Sequence, residues 1–165
     1  MKEISMKKIT LQSEIEVAKS IAELSEIDAQ LLATAKEAAK GAYAPYSNFK
    51  VGAAVLMDNE AIVIGNNQEN AAFPVTMCGE RNAVFSAAAQ YPNIAIKAVA
   101  ITIISAKGNI DRPIPPCGSC RQVIYENETR HQSDIRLILQ GDIGEIYVVQ
   151  SVKDILPLLF DASYL

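Results

Sequence analysis

The run Lys97-Ala98-Val99-Ala100-Ile101-Thr102-Ile103-Ile104 decides the fold of this 165-residue chain. It is rich in β-branched residues and shorter than the ~10–12 residues of a stable helix, and its apolar side chains fall on both parities, as a strand buried on both faces requires. A strand of that kind sits inside a sheet. Upstream, Lys50 to Met57 and Ala61 to Gly65 are short runs rich in Val and Ile around Asp58-Asn59, which predicts a hairpin. Between hairpin and central run, the alanine-rich stretch Cys78 to Ala89 predicts a helix ended by Tyr91-Pro92-Asn93. An earlier helix is predicted from Asp28 as cap, through Leu31, Leu32, Ala35, Ala38 and Ala39, to a stop at Gly41.

Downstream of the central run comes a loop with Gly108, Pro113, Pro115 and Pro116. A short helix over Gly118 to Asn127, strands over Ile135 to Leu139 and Glu145 to Val149, and a final helix over Ser151 to Leu159 capped by Ser151 complete the prediction. Helices alternating with strands imply a layered α/β or α+β domain, one mixed sheet flanked by helices. Residues 1 to 27 alternate at Ile9 and Leu11, then Ile15 and Val17, a pattern compatible with an added strand or with part of a helix. They are expected to be an amino-terminal extension, and 28 to 165 a single domain.

A chain of this length makes about one domain and buries roughly 70% of its extended surface. Half the residues are apolar and 21% charged, the balance of an ordered protein. Apolar runs fall far short of the ~20 residues that span a bilayer, and the early lysines, Lys2, Lys7 and Lys8, precede no apolar block. No membrane is expected as a partner, and the expected compartment is the cytoplasm. A net charge of −4 supplies no field for polyanions, so no nucleic acid is expected and a small molecule is the expected partner.

Three cysteines, Cys78, Cys117 and Cys120, are too few and too odd in number for a disulfide framework. Pro116-Cys117-Gly118-Ser119-Cys120 puts two thiols three residues apart where a loop enters a helix, a metal-chelating or redox geometry. Cys78 opens the other helix in the same way. Free N–H groups and the positive end of the helix dipole favour thiolate, the form that binds zinc. Three thiolates leave a tetrahedral zinc one ligand short, as in catalytic sites. Glu80, two residues beyond Cys78, is predicted to point about 200° away from it on a helix, and so to act as acid and base rather than as chelator.

Cys78-Gly79-Glu80 followed by Pro116-Cys117-Gly118-Ser119-Cys120 resembles the zinc-dependent cytidine deaminases. The resemblance covers about Asp28 to Leu165. Ala42-Tyr43-Ala44-Pro45-Tyr46-Ser47-Asn48-Phe49-Lys50-Val51-Gly52-Ala53-Ala54 is similar to the family's opening segment, and Asn67-Gln68-Glu69-Asn70-Ala71-Ala72 to its ribose-binding segment. Together these select the small, three-cysteine, free-nucleoside branch. What the resemblance implies is a three-layer α/β/α fold and one Zn²⁺ per chain on Cys78, Cys117 and Cys120. The implied reaction is hydrolytic deamination of cytidine and deoxycytidine to uridine and deoxyuridine, by a zinc-bound hydroxide attacking carbon 4 with Glu80 as proton shuttle.

The implied substrate-binding residues are Phe49, Asn67, Glu69, Gly79 and Phe160: Asn67 and Glu69 hold the sugar hydroxyls, Phe49 and Phe160 pack on the pyrimidine. In the family the second phenylalanine comes from a neighbouring subunit, which implies a homotetramer with shared active sites. Three thiolates would over-donate to the metal, and Arg81, matching the arginine that follows the glutamate in this branch, is expected to hydrogen-bond the sulfurs and draw off charge. Gly79 stands where alanine is common and Asn82 where threonine is. His131 is expected on the solvated surface. The rivals are a deaminase of another cytosine nucleoside such as a nucleoside antibiotic, a thiol oxidoreductase using Cys117 and Cys120, and a non-catalytic zinc-stabilised binding module.

Overall fold

The central run is a strand in the computed structural model, which describes residues 6–106 and 108–165. Residues 1–5, with Lys2, and Lys107 of the predicted loop lie outside the described residues. In chain order the elements are β1 (Glu16–Ala18), α1 (Glu26–Lys40), β2 (Phe49–Met57), β3 (Ile62–Asn66), α2 (Gly79–Gln90), β4 (Ile96–Ser105), α3 (Gly118–His131), β5 (Arg136–Gln140) and β6 (Ile146–Val149). Among the described residues the strands form one sheet in the order β1-β6-β5-β4-β2-β3. It is mixed: β4 and β5 run parallel, and the other neighbours antiparallel.

The period-two alternation along β4 builds the three layers. Ala98 and Ala100 face α1, where they pack with Leu31, Leu32 and Ala35. Val99 and Ile101 face the other side and pack with Ala83 and Val84 of α2 and Ile124 of α3. Thr102, wholly buried, donates its hydroxyl to the Gly141 carbonyl at 2.8 Å, so a polar side chain in the strand leaves no unmet donor. Helix backbones approach the sheet most closely over two glycines. A Cβ on Gly52 would lie 2.1 Å from the Ala35 carbonyl oxygen of α1, and one on Gly65 would lie 2.4 Å from the Ala83 nitrogen of α2.

Strand direction fixes where the candidate site lies. β3 and β4 are both antiparallel to β2, so they point the same way and finish at the same end of the sheet. α2 follows β3 and α3 follows β4, which brings both helix starts, and with them the three cysteines, to that end.

Several boundaries differ from the sequence reading. α1 begins at Glu26 behind Ser25, whose hydroxyl accepts from the Asp28 amide. Asp28 is not the cap: it is buried, and its carboxylate accepts from Arg136 Nη2 at 2.6 Å. The predicted final helix is a single 3₁₀ turn, Val152–Ile155, although Ser151 does cap it through the Lys153 amide. Pro157 has no N–H to continue the helix, and Leu158 follows at φ +56. Of the amino-terminal alternation, Glu16–Ala18 pairs with β6 at the sheet edge, and residues 6–15 form no regular element. His131 ends α3 half-buried rather than fully solvated.

Candidate metal centre

Cys78 and Cys117 are the residues immediately before α2 and α3, both with extended backbone and neither using its side chain as a cap. Cys120 lies in the first turn of α3 and is fully buried. The three sulfurs and a carboxylate oxygen of Glu80 lie within 4.8 Å of one another. Sulfurs about 2.3 Å from a tetrahedral zinc are about 3.8 Å apart, so the group has the size of a single cation's first shell. The Cys117 and Cys120 sulfurs are 3.4 Å apart, and all three cysteines are free.

Glu80 reaches the same point as Cys78, against the helical-wheel expectation. The wheel assumes that both residues are helical, whereas Cys78 has ψ 149 and stands outside the helix. Its thiol therefore turns towards the carboxyl that the wheel sends elsewhere. Glu80 is 5% exposed, a buried carboxyl beside three thiols.

The electrostatics of this group call for a cation. A hydrogen bond from Cys120 holds the Cys78 thiol down to about 6, against the raising effects of burial and the Glu80 charge. Cys120 is pushed far up by its bond to Cys78, by burial and by Glu80. Within this pair one sulfur is favoured as thiolate while its neighbour keeps its proton and donates it to that thiolate. A divalent cation lets all three ionise, and soft sulfur donors in a tetrahedral arrangement suit zinc.

Arg81 donates from Nε to Met77 Sδ at 3.1 Å and from Nη2 to the Thr76 carbonyl at 3.0 Å. The expected hydrogen bonds to the cysteine sulfurs are not among these contacts. Its influence on Cys78 is coulombic, lowering the thiol through space.

Cys78, Glu80 and Cys117, but not the buried Cys120, open on a cavity of about 340 Å³ whose other walls are Ser47, Phe49, Val51, Asn67, Glu69, Ile101, Ile114 and Pro115. Larger cavities of about 730 and 520 Å³ lie elsewhere. Chemistry rather than size singles this one out.

Asn67 is 7% exposed and has a role that the sequence reading missed. Its Oδ1 accepts from the Val51 amide at 2.8 Å and its Nδ2 donates to the Phe49 carbonyl at 2.9 Å, so the amide acts as a rung fixing the start of β2. Glu69 accepts from the Tyr46 amide at 2.8 Å and from the Ser47 hydroxyl, and the Ser47 bond holds its carboxyl below the usual range. A stationary carboxylate is thus presented at the rim. Gly79 lies against Val51 and Asn67: a Cβ there would come 2.9 Å from the Val51 carbonyl oxygen and 3.2 Å from the Asn67 nitrogen. Asn82 donates to the Asn66 carbonyl at 3.1 Å and ties α2 to the end of β3.

Phe49 lines the cavity; Phe160 does not. It is 57% exposed and stacks on Tyr164, with ring centroids 5.8 Å apart. Ile114 and Pro115 are wall residues that carry no chemical signal in sequence. They arrive because the backbone of their loop is pinned to the turn after β5: the Asp142 and Ile143 amides donate to the Ile110 carbonyl at 2.8 and 3.2 Å.

Comparison with known proteins agrees with this geometry. The family model described as the cytidine and deoxycytidylate deaminase zinc-binding region matches residues 25–132. A cytidine deaminase of Halalkalibacterium halodurans is 42% identical over 133 residues, 81% of this chain and 93% of that protein. One of Sporosarcina psychrophila is 38% identical over 138 residues, 82% of this chain and 94% of that protein. The crystal structure of a cytidine deaminase from Burkholderia pseudomallei superposes with a TM-score of 0.68 at 35% identity, covering 83% of this chain and all 100% of that one. With its matched region spanning both helix starts that carry the cysteines, the chain belongs to the zinc-binding cytidine and deoxycytidylate deaminase family.

Proposed function

We propose that residues 28–165 act as one zinc-dependent deaminase domain that hydrolyses cytidine and deoxycytidine to uridine and deoxyuridine with release of ammonia. The observation that carries this reading is the convergence of three sulfurs and the Glu80 carboxylate within 4.8 Å, with Cys78, Cys117 and Glu80 lining a cavity of about 340 Å³. Cys78, Cys117 and Cys120 hold the metal. Zinc, when bound, supplies a Lewis acid able to lower the pKa of water from about 15.7 towards about 7.

Glu80 accepts the proton of the attacking water and passes it to ring nitrogen 3, which makes carbon 4 electrophilic. A second transfer through Glu80 takes the remaining hydroxyl proton to the 4-amino group, the C–N bond breaks, and ammonia leaves the uracil ring with its new oxygen. Burial of the carboxylate keeps bulk water from competing for these protons.

Glu69 accepts a bond from a sugar hydroxyl, and Asn67 holds both the sugar and the strand that presents Phe49. Gly79, which does not line the cavity, leaves room for the Val51 and Asn67 backbone and so lets those substrate-binding segments sit close over the start of α2. Arg81 tunes Cys78 through space. Phe160 reaches the base bound by a neighbouring copy in a homotetramer with shared active sites, a role supported by its exposure and its absence from the cavity of its own chain. No helix among the described residues is long and apolar enough to cross a membrane. The three free cysteines support a reducing compartment, the cytoplasm.

The test is to incubate zinc-replete protein with cytidine, deoxycytidine and free cytosine, following ultraviolet absorbance and ammonia. Both nucleosides are expected to react and the base is not. The Glu80→Gln variant is expected to keep its zinc and to lose about 10²–10⁴-fold in turnover. Zinc-replete protein that releases no ammonia from either nucleoside refutes the proposal.

A further inference from the structure

Arg121 does not line the cavity, yet it grips two segments that border on the chemistry. Its Nε donates to the Pro116 carbonyl at 2.8 Å, and its Nη1 donates to the Ile155 carbonyl. The Pro116 carbonyl belongs to the peptide unit that enters Cys117. Ile155 is the last residue of the 3₁₀ turn from which residues 156–160 depart.

Other contacts hold each segment separately: the Arg121 amide donates to the Cys117 carbonyl at 2.9 Å, and Leu156 and Leu159 pack against the core. Cys117 makes no side-chain cap, and the chain beyond Ile155 passes Leu158, which is 88% exposed at φ +56. One side of the same helix adds further ties, from Gln122 Nε2 to the Phe160 carbonyl at 2.9 Å and between Tyr125 Oη and Asp161 Oδ2 at 3.4 Å. These reach the tail but not the metal loop.

We infer that Arg121 is a positioning residue for the deamination site, a clamp that sets the Cys117 loop and the Phe160 tail at one fixed separation. A planar guanidinium donating in two directions from one rigid fork can do this, whereas an ammonium cannot hold both carbonyls in the same plane. The inference rests on the reading of Cys117 as a zinc ligand.

The test compares wild type, Arg121→Ala, Arg121→Lys and Gln122→Ala in three measurements: zinc release to excess chelator, alkylation of Cys117 in metal-stripped protein, and kcat and KM for cytidine. Loss of a hydrogen-bonded charged clamp is expected to speed both zinc release and Cys117 alkylation in Arg121→Ala by about tenfold, and to raise KM. Arg121→Lys falls between, and Gln122→Ala raises KM alone. A folded Arg121→Ala protein with wild-type zinc release and alkylation overturns the proposal. Should that variant not fold, Arg121→Lys decides by the same two rates. Wild-type protein that holds no zinc overturns the reading of Cys117 and the clamp together, whereas zinc-bearing wild type with indifferent variants overturns the clamp alone.

Discussion

Replacing Gly65 by alanine tests whether close packing of α2 on β3 aligns the chemistry. The new Cβ would lie 2.4 Å from the Ala83 nitrogen and 2.7 Å from the Gly79 carbonyl oxygen, the two ends of a backbone hydrogen bond in the first turns of α2. Ordinary van der Waals contact starts near 3.4 Å, so the helix must withdraw by about 1 Å. Backbone cannot rotate aside as a side chain does. Overpacking of this kind costs about 1–3 kcal/mol of stability. The same displacement moves Cys78 and Glu80, and a misplacement of about 1 Å in catalytic geometry costs about 10²-fold in rate.

Gly52→Ala is the matched control, since its Cβ would lie 2.1 Å from the Ala35 carbonyl oxygen and so push on α1, which carries none of the candidate site residues. Urea unfolding should show comparable losses for the two variants. Cytidine turnover at saturating substrate, measured on zinc-replete folded protein, should fall about 10²-fold for Gly65→Ala and by less than about tenfold for Gly52→Ala. Equal turnover in the two variants refutes the idea that the approach of α2 to β3 aligns the centre.

Three shorter predictions follow from the electrostatics. Because the Cys78 thiol is held down to about 6, metal-stripped protein should be alkylated at Cys78 rapidly at pH 7, with the rate falling as pH drops through about 6; an ordinary thiol profile refutes the depressed value. Glu69→Gln should raise KM for cytidine about tenfold with a smaller effect on kcat, since a neutral amide accepts a weaker bond from the sugar; an unchanged KM removes Glu69 from the binding set. Burial raises the Glu128 carboxyl above 4.5, so its contribution to stability is fullest below the unfolded value and declines as pH rises through the folded one. Glu128→Gln should flatten that part of the thermal-midpoint profile above the ordinary carboxylate range, and an unchanged slope contradicts the assignment.

Periodicity made the sheet legible. β4, the β2–β3 hairpin and α2 lie within a residue or two of where β-branched runs and alanine spacing put them, because burial on a repeating backbone writes itself into sequence as a period. Asp28 misled because a short acidic residue before an apolar stripe looks like a cap, whereas its partner, Arg136, is distant in sequence and invisible to local pattern. The 151–159 stretch misled because a capping serine and apolar spacing outweighed Pro157. In the site, the cysteines and Glu80 stood out through spacing and chemistry. Ser47, Ile114 and the strand-bracing amide of Asn67 did not, since each depends on which backbone lies beside it, and that is a tertiary fact.

The sulfurs come from segments on either side of β4, one before the strand and two after it. A cation gripping all three therefore closes the polypeptide from Cys78 to Cys120 into a ring that includes its own central strand, a reversible staple that shortens the excursions open to the denatured chain. Scarcity of the ion would be felt twice: at once in turnover, since the stripped molecule lacks its Lewis acid, and again in folding, since the opened staple restores those excursions.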